Sequence, residues 1–339
     1  MKFWIDVTSL PHVNFFRALI KKLEKSGNEV IVTCREFGIM NDILERNGIE
    51  YRSVGSHGGK GLKEKLIHSS ERIIELAKLM SLERPDIGIS KHSIESARVC
   101  FGLGIPSVMV IDHETASKQS RLTAPLVNVV VAPEFTDKEM LARYGAKDLK
   151  TFYGICESAH FNDFKPSKDV LDDIGLSSGD KIVIGRTEPL LASHNFKESL
   201  IFSVLARLKE DDEEMNIVFI PRNEKDRITA KKLGFFVPER SIDVLSLYSF
   251  ADLMIGAGSC MNREASIGGC PTISICPDRL PGVDRFLIER GLMFHSCTEN
   301  DIISKAEEIL KSKKRNDTDS MKRFEDPHEI IMEAVKSVS

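Results

Sequence analysis

Short β-branched runs alternate with stretches of helical, 3.6-residue periodicity along most of the chain. Lys2–Val7 reads as a strand. A helix then opens near Pro11, carries Phe15, Leu19 and Leu23 on one face, and closes at Gly27. Further strands are predicted at Glu29–Thr33, Tyr51–Val54, Asp86–Ser90, Ser107–Ile111, Val127–Ala132 and near Lys150–Tyr153, with helical segments between them. Residues 159–180 break the rhythm with Pro166 and a Ser177-Ser178-Gly179-Asp180 turn, so they read as an interdomain linker. The alternation restarts with strands at Lys181–Gly185, Asn216–Ile220, Asp252–Ile255 and Thr272–Ile275. Strands joined by helices require right-handed crossovers in mostly parallel sheets. The expected fold is therefore α/β: two Rossmann-like, doubly wound parallel-sheet domains facing across a cleft. Residues 1–158 form the first and 181–312 the second. Residues 313–339 form a charged, loose tail and a final helix that packs back toward the first domain. Ligands of such sheets bind at the strand carboxyl ends, where loops are free and helix N-termini point outward.

The composition narrows the partners. The 339 residues are 42% apolar and 29% charged, ordinary values for a globular protein. With 47 basic and 51 acidic residues the net charge is −4, which argues against a protein that coats nucleic acid or docks on membranes through a polybasic patch. No apolar run approaches the length of a membrane span, and an acid at Asp6 with a proline at Pro11 does not suit a signal peptide. A cytoplasmic location is expected. The seven cysteines are an odd number without a C-x-x-C pair, so reduced thiols are expected rather than a disulfide framework or zinc site. The Asp317-Thr318-Asp319 pair follows no strand, and no metal or other cofactor is expected. Assembly into a homo-oligomer stays open.

The strongest chemical signal runs from Ala251 to Pro271. An apolar strand ends at Gly256. Gly256 and Gly258 permit a tight turn and close backbone approach, Ser259 is placed to cap the next helix, and Glu264 lies one to two turns in. Helix-start amides and the positive end of the helix dipole suit an anion. The spacing is not a dinucleotide fingerprint, because Met261 stands where the third glycine belongs, and there is no Walker A loop. Other polar groups follow strand ends. The loop Asp6–Asn14 holds Asp6, His12 and Asn14; these either meet substrate or simply tie the loop together. Lys91-His92-Ser93 and Asp112-His113-Glu114 end two further strands, and a carboxylate beside an imidazole suits general-base work on a hydroxyl. Arg186 and Glu188 follow the first strand of the second domain, where an arginine is able to clamp phosphate through two parallel hydrogen bonds.

The Gly258–Pro271 segment resembles the GT-B superfamily of nucleotide-sugar glycosyltransferases and non-hydrolysing UDP-N-acetylglucosamine 2-epimerases. Lys181–Pro189, Asn216–Arg222 and Asp86–Ser90 with Gly104-Ile105-Pro106 extend the likeness. The start, Trp4-Ile5-Asp6 with Pro11-His12-Val13-Asn14-Phe15-Phe16, resembles a GT-B-like family known as a domain of unknown function. The resemblance implies a diphosphate at Gly258 and Ser259 and a ribose at Glu264. It implies a nucleotide-diphosphate sugar, UDP-linked first among them, and metal-free transfer to an acceptor. Gly256, Arg186 and Glu188 would assist the donor. Asp6, Asn14 and His92 would line the acceptor side, and His12 or the Asp112/His113 pair would act as base. The epimerases have an acid in the first domain and a histidine after the first strand of the second; the matching positions look like His92 and Arg186, a departure from epimerase chemistry. Epimerisation or binding without turnover remain the alternatives.

Overall fold

A computed structural model describes residues 1–36, 40–59, 61–162, 164–187, 200–312 and 314–338. Lys2–Val7 forms strand β1, and every residue from Phe3 to Val7 is buried. A strand covered on both faces shows a continuous apolar run instead of alternation, the mark of a parallel sheet with helices on either side. The chain divides into two units, Met1–Asn162 with Arg323–Ser339, and Asp163–Lys322.

The first unit is a seven-stranded sheet. Its strands are β1, β2 (Glu29–Glu36), β3 (Arg52–Ser56), β4 (Ile87–Lys91), β5 (Ser107–Val110), β6 (Val129–Pro133) and β7 (Leu149–Phe152). They lie in the order β3-β2-β1-β4-β5-β6-β7, all parallel. The direction of winding reverses between β1 and β4, which opens a crevice at their carboxyl ends. One face buries Phe3, Ile5 and Val7 under Phe15, Phe16 and Leu19 of helix Leu10–Lys25. The other buries Trp4 and Ile31 under Leu76, Met80 and Val99. The closing helix Pro327–Lys336 completes the first face with Ile331, Ala334 and Val335, and His328 Nε2 meets the Phe15 carbonyl at 2.7 Å.

The second unit has five parallel strands: β8 (Ile182–Arg186), β9 (Asn216–Phe219), β10 (Leu253–Gly256), β11 (Thr272–Ser274) and β12 (Phe294–His295), ordered β12-β11-β10-β8-β9. Here the winding reverses between β8 and β10. The register places Arg186, the last residue of β8, directly opposite Gly256, the last of β10.

Two expectations change. Residues 159–180 are not a bare linker. Ala159 and His160 are buried in a 3-10 turn, Cys156–Phe161, of the first unit. Helix Asp169–Asp173 buries Val170 and Leu171 in the second, where the Ser167 N–H donates to Ser246 Oγ at 3.0 Å. Three apolar residues, Val170, Leu171 and Ile174, supply a stripe that the surrounding Pro, Ser and Asp conceal. The charged tail is likewise fastened. Arg315 donates to the carbonyls of Ala251 (2.9 Å) and Tyr248 (2.6 Å), and Asn316 Nδ2 to those of Ser266 (3.0 Å), Cys270 (3.2 Å) and Leu292 (2.7 Å). Carbonyls left over at helix and loop ends need donors, and these two side chains supply them. Among the described residues no helix is long and apolar enough to cross a membrane.

Candidate functional site

At the β8–β10 reversal the chain turns sharply from strand into helix Ser259–Ile267. Close packing dictates the first glycine: a Cβ on Gly256 would stand 2.7 Å from Asn262 Oδ1, whose amide Nδ2 donates to the Gly256 carbonyl at 2.8 Å. The helix N-cap is Gly258, not Ser259, so the cap residue itself brings no side chain to the turn. The expectation that Ser259 caps the helix is therefore corrected; Ser259 is the first helical residue. Two other helices of this unit are closed by side chains of their own: Asn223 accepts from the Asp226 N–H, and Asp243 from the Ser246 N–H.

Positive charge converges on this turn. A Cβ on Gly258 would meet Arg222 Nη2 at 2.4 Å, so the glycine leaves room for a guanidinium. Arg222 is oriented by its Nε–H, which donates to the Thr187 carbonyl at 2.7 Å. Arg186 donates through Nη1 to the carbonyls of Ile220 (3.3 Å) and Pro221 (3.4 Å), while its buried Nε–H has no partner among the described residues. Burial, then the neighbouring Arg222 charge, lowers the Arg186 pKa to about 10. Glu264 is nearly buried, and the Tyr248 hydroxyl donates to its Oε2 at 3.4 Å. Burial, followed by the Glu264 charge, raises the Tyr248 pKa well above its ordinary value, so the phenol stays a donor. Glu188 lies outside the described residues.

The β1–β4 reversal of the first unit is organised differently. Asp6 has no exposed surface. Its carboxylate accepts from Arg72 at 2.6 and 3.1 Å, from Thr33 Oγ1 at 2.6 Å and from Ser93 Oγ at 2.6 Å. Although burial opposes ionisation, these donors hold its pKa below the usual carboxylate value. Of the two roles open to Asp6, the geometry is that of tying the loop: it joins β1 to β2, to the cap of helix Ile94–Leu103 and to the long helix Leu62–Glu83. Lys91 and Asp112 form a second buried ion pair at 2.9 Å, with the ammonium 5.1 Å above the Phe15 ring. His92 sits at φ +50, a strained position for a residue with a side chain, and its Nε2 lies 3.0 Å from Ser120 Oγ. Burial is the main cause that lowers its pKa to about 4. His113 Nδ1 lies 2.9 Å from Thr115 Oγ1, and Asn14 is half-buried near the start of its helix.

His12 joins this group, feeling the charges of Lys91, Asp112 and Arg35. Burial foremost, then Lys91, lowers its pKa to about 3. The Thr8 N–H donates to its Nδ1 at 3.4 Å. A neutral imidazole that accepts at Nδ1 carries its proton on Nε2. In this state His12 Nε2 is a donor.

The structure therefore gathers His12, His92, Asp112 and His113 in one unit and Arg186, Gly256, Gly258, Ser259 and Glu264 in the other. Reading by sequence missed Arg35, Arg72, Arg222, Tyr248 and Asn262. Arg222 ends the quoted run Asn216–Arg222 beyond strand β9, so its position carried a signal; Arg72 stands in mid-helix and carried none.

The fold is GT-B-like. A 2-epimerase of Neisseria meningitidis, solved bound to UDP-GlcNAc, superimposes with a TM-score of 0.78, covering 99% of this chain and 100% of that one at 13% identity. The family model described as "Protein of unknown function (DUF354)" matches residues 1–339, and the chain belongs to that family. An uncharacterised protein of Methanocaldococcus jannaschii is 36% identical over 337 residues, 98% of this chain and 97% of its own length. The UDP-N-acetylglucosamine--N-acetylmuramyl-(pentapeptide) pyrophosphoryl-undecaprenol N-acetylglucosamine transferase of Clostridium botulinum is 26% identical over 192 residues, 51% of this chain and 53% of that protein. The chain thus spans about half the length of that transferase.

Proposed function

We propose that the protein binds a nucleoside-diphosphate sugar, UDP-linked in the first instance, and transfers the sugar to an acceptor. One observation carries the donor assignment: the glycine-capped helix start at Gly258 lies under Arg222, beside an Arg186 whose buried Nε–H has no partner among the described residues. Two guanidiniums and a set of first-turn amides suit a diphosphate, and they would take up the negative charge that grows on it as the sugar departs. Glu264 would accept from the ribose hydroxyls, held in place by Tyr248. UDP-sugar proteins among the structural and sequence relatives support the same choice of ligand.

The acceptor falls to the first unit. Asp112 and His113 follow β5 and supply the carboxylate–imidazole pair from which a base for the acceptor hydroxyl would come, with His92 nearby. Calorimetry with UDP-, GDP-, ADP- and CMP-sugars tests the donor reading. Binding of a UDP-sugar at least tenfold tighter than uridine is expected, and no binding to any nucleotide by folded protein would refute it. Incubation in deuterated water then separates transfer from epimerisation, because only abstraction of the C2 proton places deuterium in the sugar.

A further inference from the structure

Two cysteines meet at the carboxyl edge of the second sheet. Cys34, Cys100, Cys156 and Cys270 are buried, whereas Cys276 is half-buried and Cys297 exposed. Strands β11 and β12 run parallel, with Ile273 opposite Phe294 and Ser274 opposite His295. The Ser296 N–H donates to the Ser274 carbonyl at 3.2 Å, so the pairing continues past the strand ends. Carried two residues further, the same register sets Cys276 opposite Cys297. The contacts agree: the Cys297 thiol donates to the Cys276 carbonyl at 3.3 Å, and the Cys276 thiol feels the Cys297 charge. Opposed residues of a parallel pair project to one side, and neighbouring strands lie about 4.8 Å apart. That spacing falls within the Cα separation of about 4.4–6.8 Å that a disulfide spans.

His295 supplies a base beside the pair. Its Nδ1 lies 3.0 Å from the Ser274 carbonyl, which only accepts, so Nδ1 carries the proton and Nε2 the lone pair. That Nε2 is 4.0 Å from Cys297 Sγ. Rotation about the Cβ–Sγ bond swings the thiol hydrogen from the Cys276 carbonyl toward the imidazole. Burial raises the pKa of both thiols, so a neighbouring base decides whether a thiolate forms. We propose that Cys297 and Cys276 form a reversible thiol–disulfide exchange site, in which Cys297 attacks a low-molecular-weight disulfide and Cys276 resolves the adduct. In the first step His295 takes the Cys297 proton, the thiolate bonds to one sulfur of the small disulfide, and the broken S–S bond releases one small thiolate, which collects that proton. In the second, the Cys276 sulfur attacks Cys297 Sγ, and the other small thiol leaves with the Cys276 proton. The protein thiols lose two electrons and two protons, and the small disulfide gains both. The site is independent of the donor reading and needs no nucleotide.

Incubation of the folded protein with hydroxyethyl disulfide, followed by acid quenching and mapping of unreduced tryptic fragments by mass spectrometry, tests the site. Residues 264–279 should be joined to residues 291–305 through Cys276 and Cys297, and dithiothreitol should separate them. Cys276→Ser should stop at a hydroxyethyl adduct on Cys297, whereas Cys297→Ser should form no bridge. His295→Gln should slow modification of Cys297 about tenfold or more, because it removes the base and keeps a polar side chain. An unmodified Cys297 in the parent overturns the proposal. So does an adduct on Cys297 that never passes to a bridge, or a bridge that runs mainly to Cys260 or Cys270. An unchanged rate in His295→Gln refutes the assigned base.

Discussion

The two strand-order reversals use opposite materials. In the second unit the candidate site is mostly backbone: Gly256 and Gly258 strip away side chains, and the helix starts at a glycine cap. In the first unit it is mostly side chain, with Asp6–Arg72 and Lys91–Asp112 paired under cover and two histidines held neutral. A diphosphate has the same shape whatever it is attached to, so on the proposed reading fixed amides and guanidiniums would serve for it. An acceptor demands particular groups in particular places, and buried ion pairs hold those groups at a cost in desolvation. The contrast separates stability from affinity: damage to the first reversal should unfold, and damage to the second should mainly release nucleotide.

Arg72→Met should have the largest effect. It leaves Asp6 charged and buried without its main partner, and chemical denaturation should show a loss of about 3–5 kcal/mol. Nucleotide affinity of whatever stays folded should be unchanged; a fall in both would blur the contrast. Gly258→Val comes next. Its side chain would push the Arg222 guanidinium away, and UDP affinity should fall by about 2–3 kcal/mol with little change in melting temperature. Glu264→Ala should cost about 1–3 kcal/mol toward UDP and much less toward pyrophosphate, because only the nucleotide offers ribose hydroxyls.

The smallest effect is a slope. His92 and His12 have pKa values near 4 and 3 in the folded state, below the ordinary histidine value. Between those values and about 6.5 the unfolded chain binds more protons, so stability should fall as pH falls through that window. His92→Asn tolerates the positive φ and removes one of the two groups. Urea midpoints from pH 7 to 4 should then decline less steeply than in the parent; an identical decline would mean His92 does not contribute.

Much of the fold could be read from local pattern. β1 showed itself by the apolar run Phe3-Trp4-Ile5, and the strand–glycine–helix turn at 256–259 by residues that have few other uses together. What stayed hidden depends on long-range register. Arg35 reaches Thr8 because β2 lies beside β1, and Arg72 reaches Asp6 from a helix sixty-six residues away. In segment 159–180 three apolar residues decide the packing while the many polar ones dominate the composition, which hides its helix from local pattern. The Ser259 cap was misjudged because serine favours that position in general, whereas here Gly258 occupies it under an arginine.

The central claim is that the Gly258 turn receives a diphosphate. A crystal structure of the protein with UDP tests it most directly. Phosphate oxygens should lie within hydrogen-bond distance of the amides of residues 259–261 and of the Arg222 guanidinium, with the ribose against Glu264. UDP bound with its phosphates elsewhere, and Arg222 still resting on an empty turn, would contradict the account.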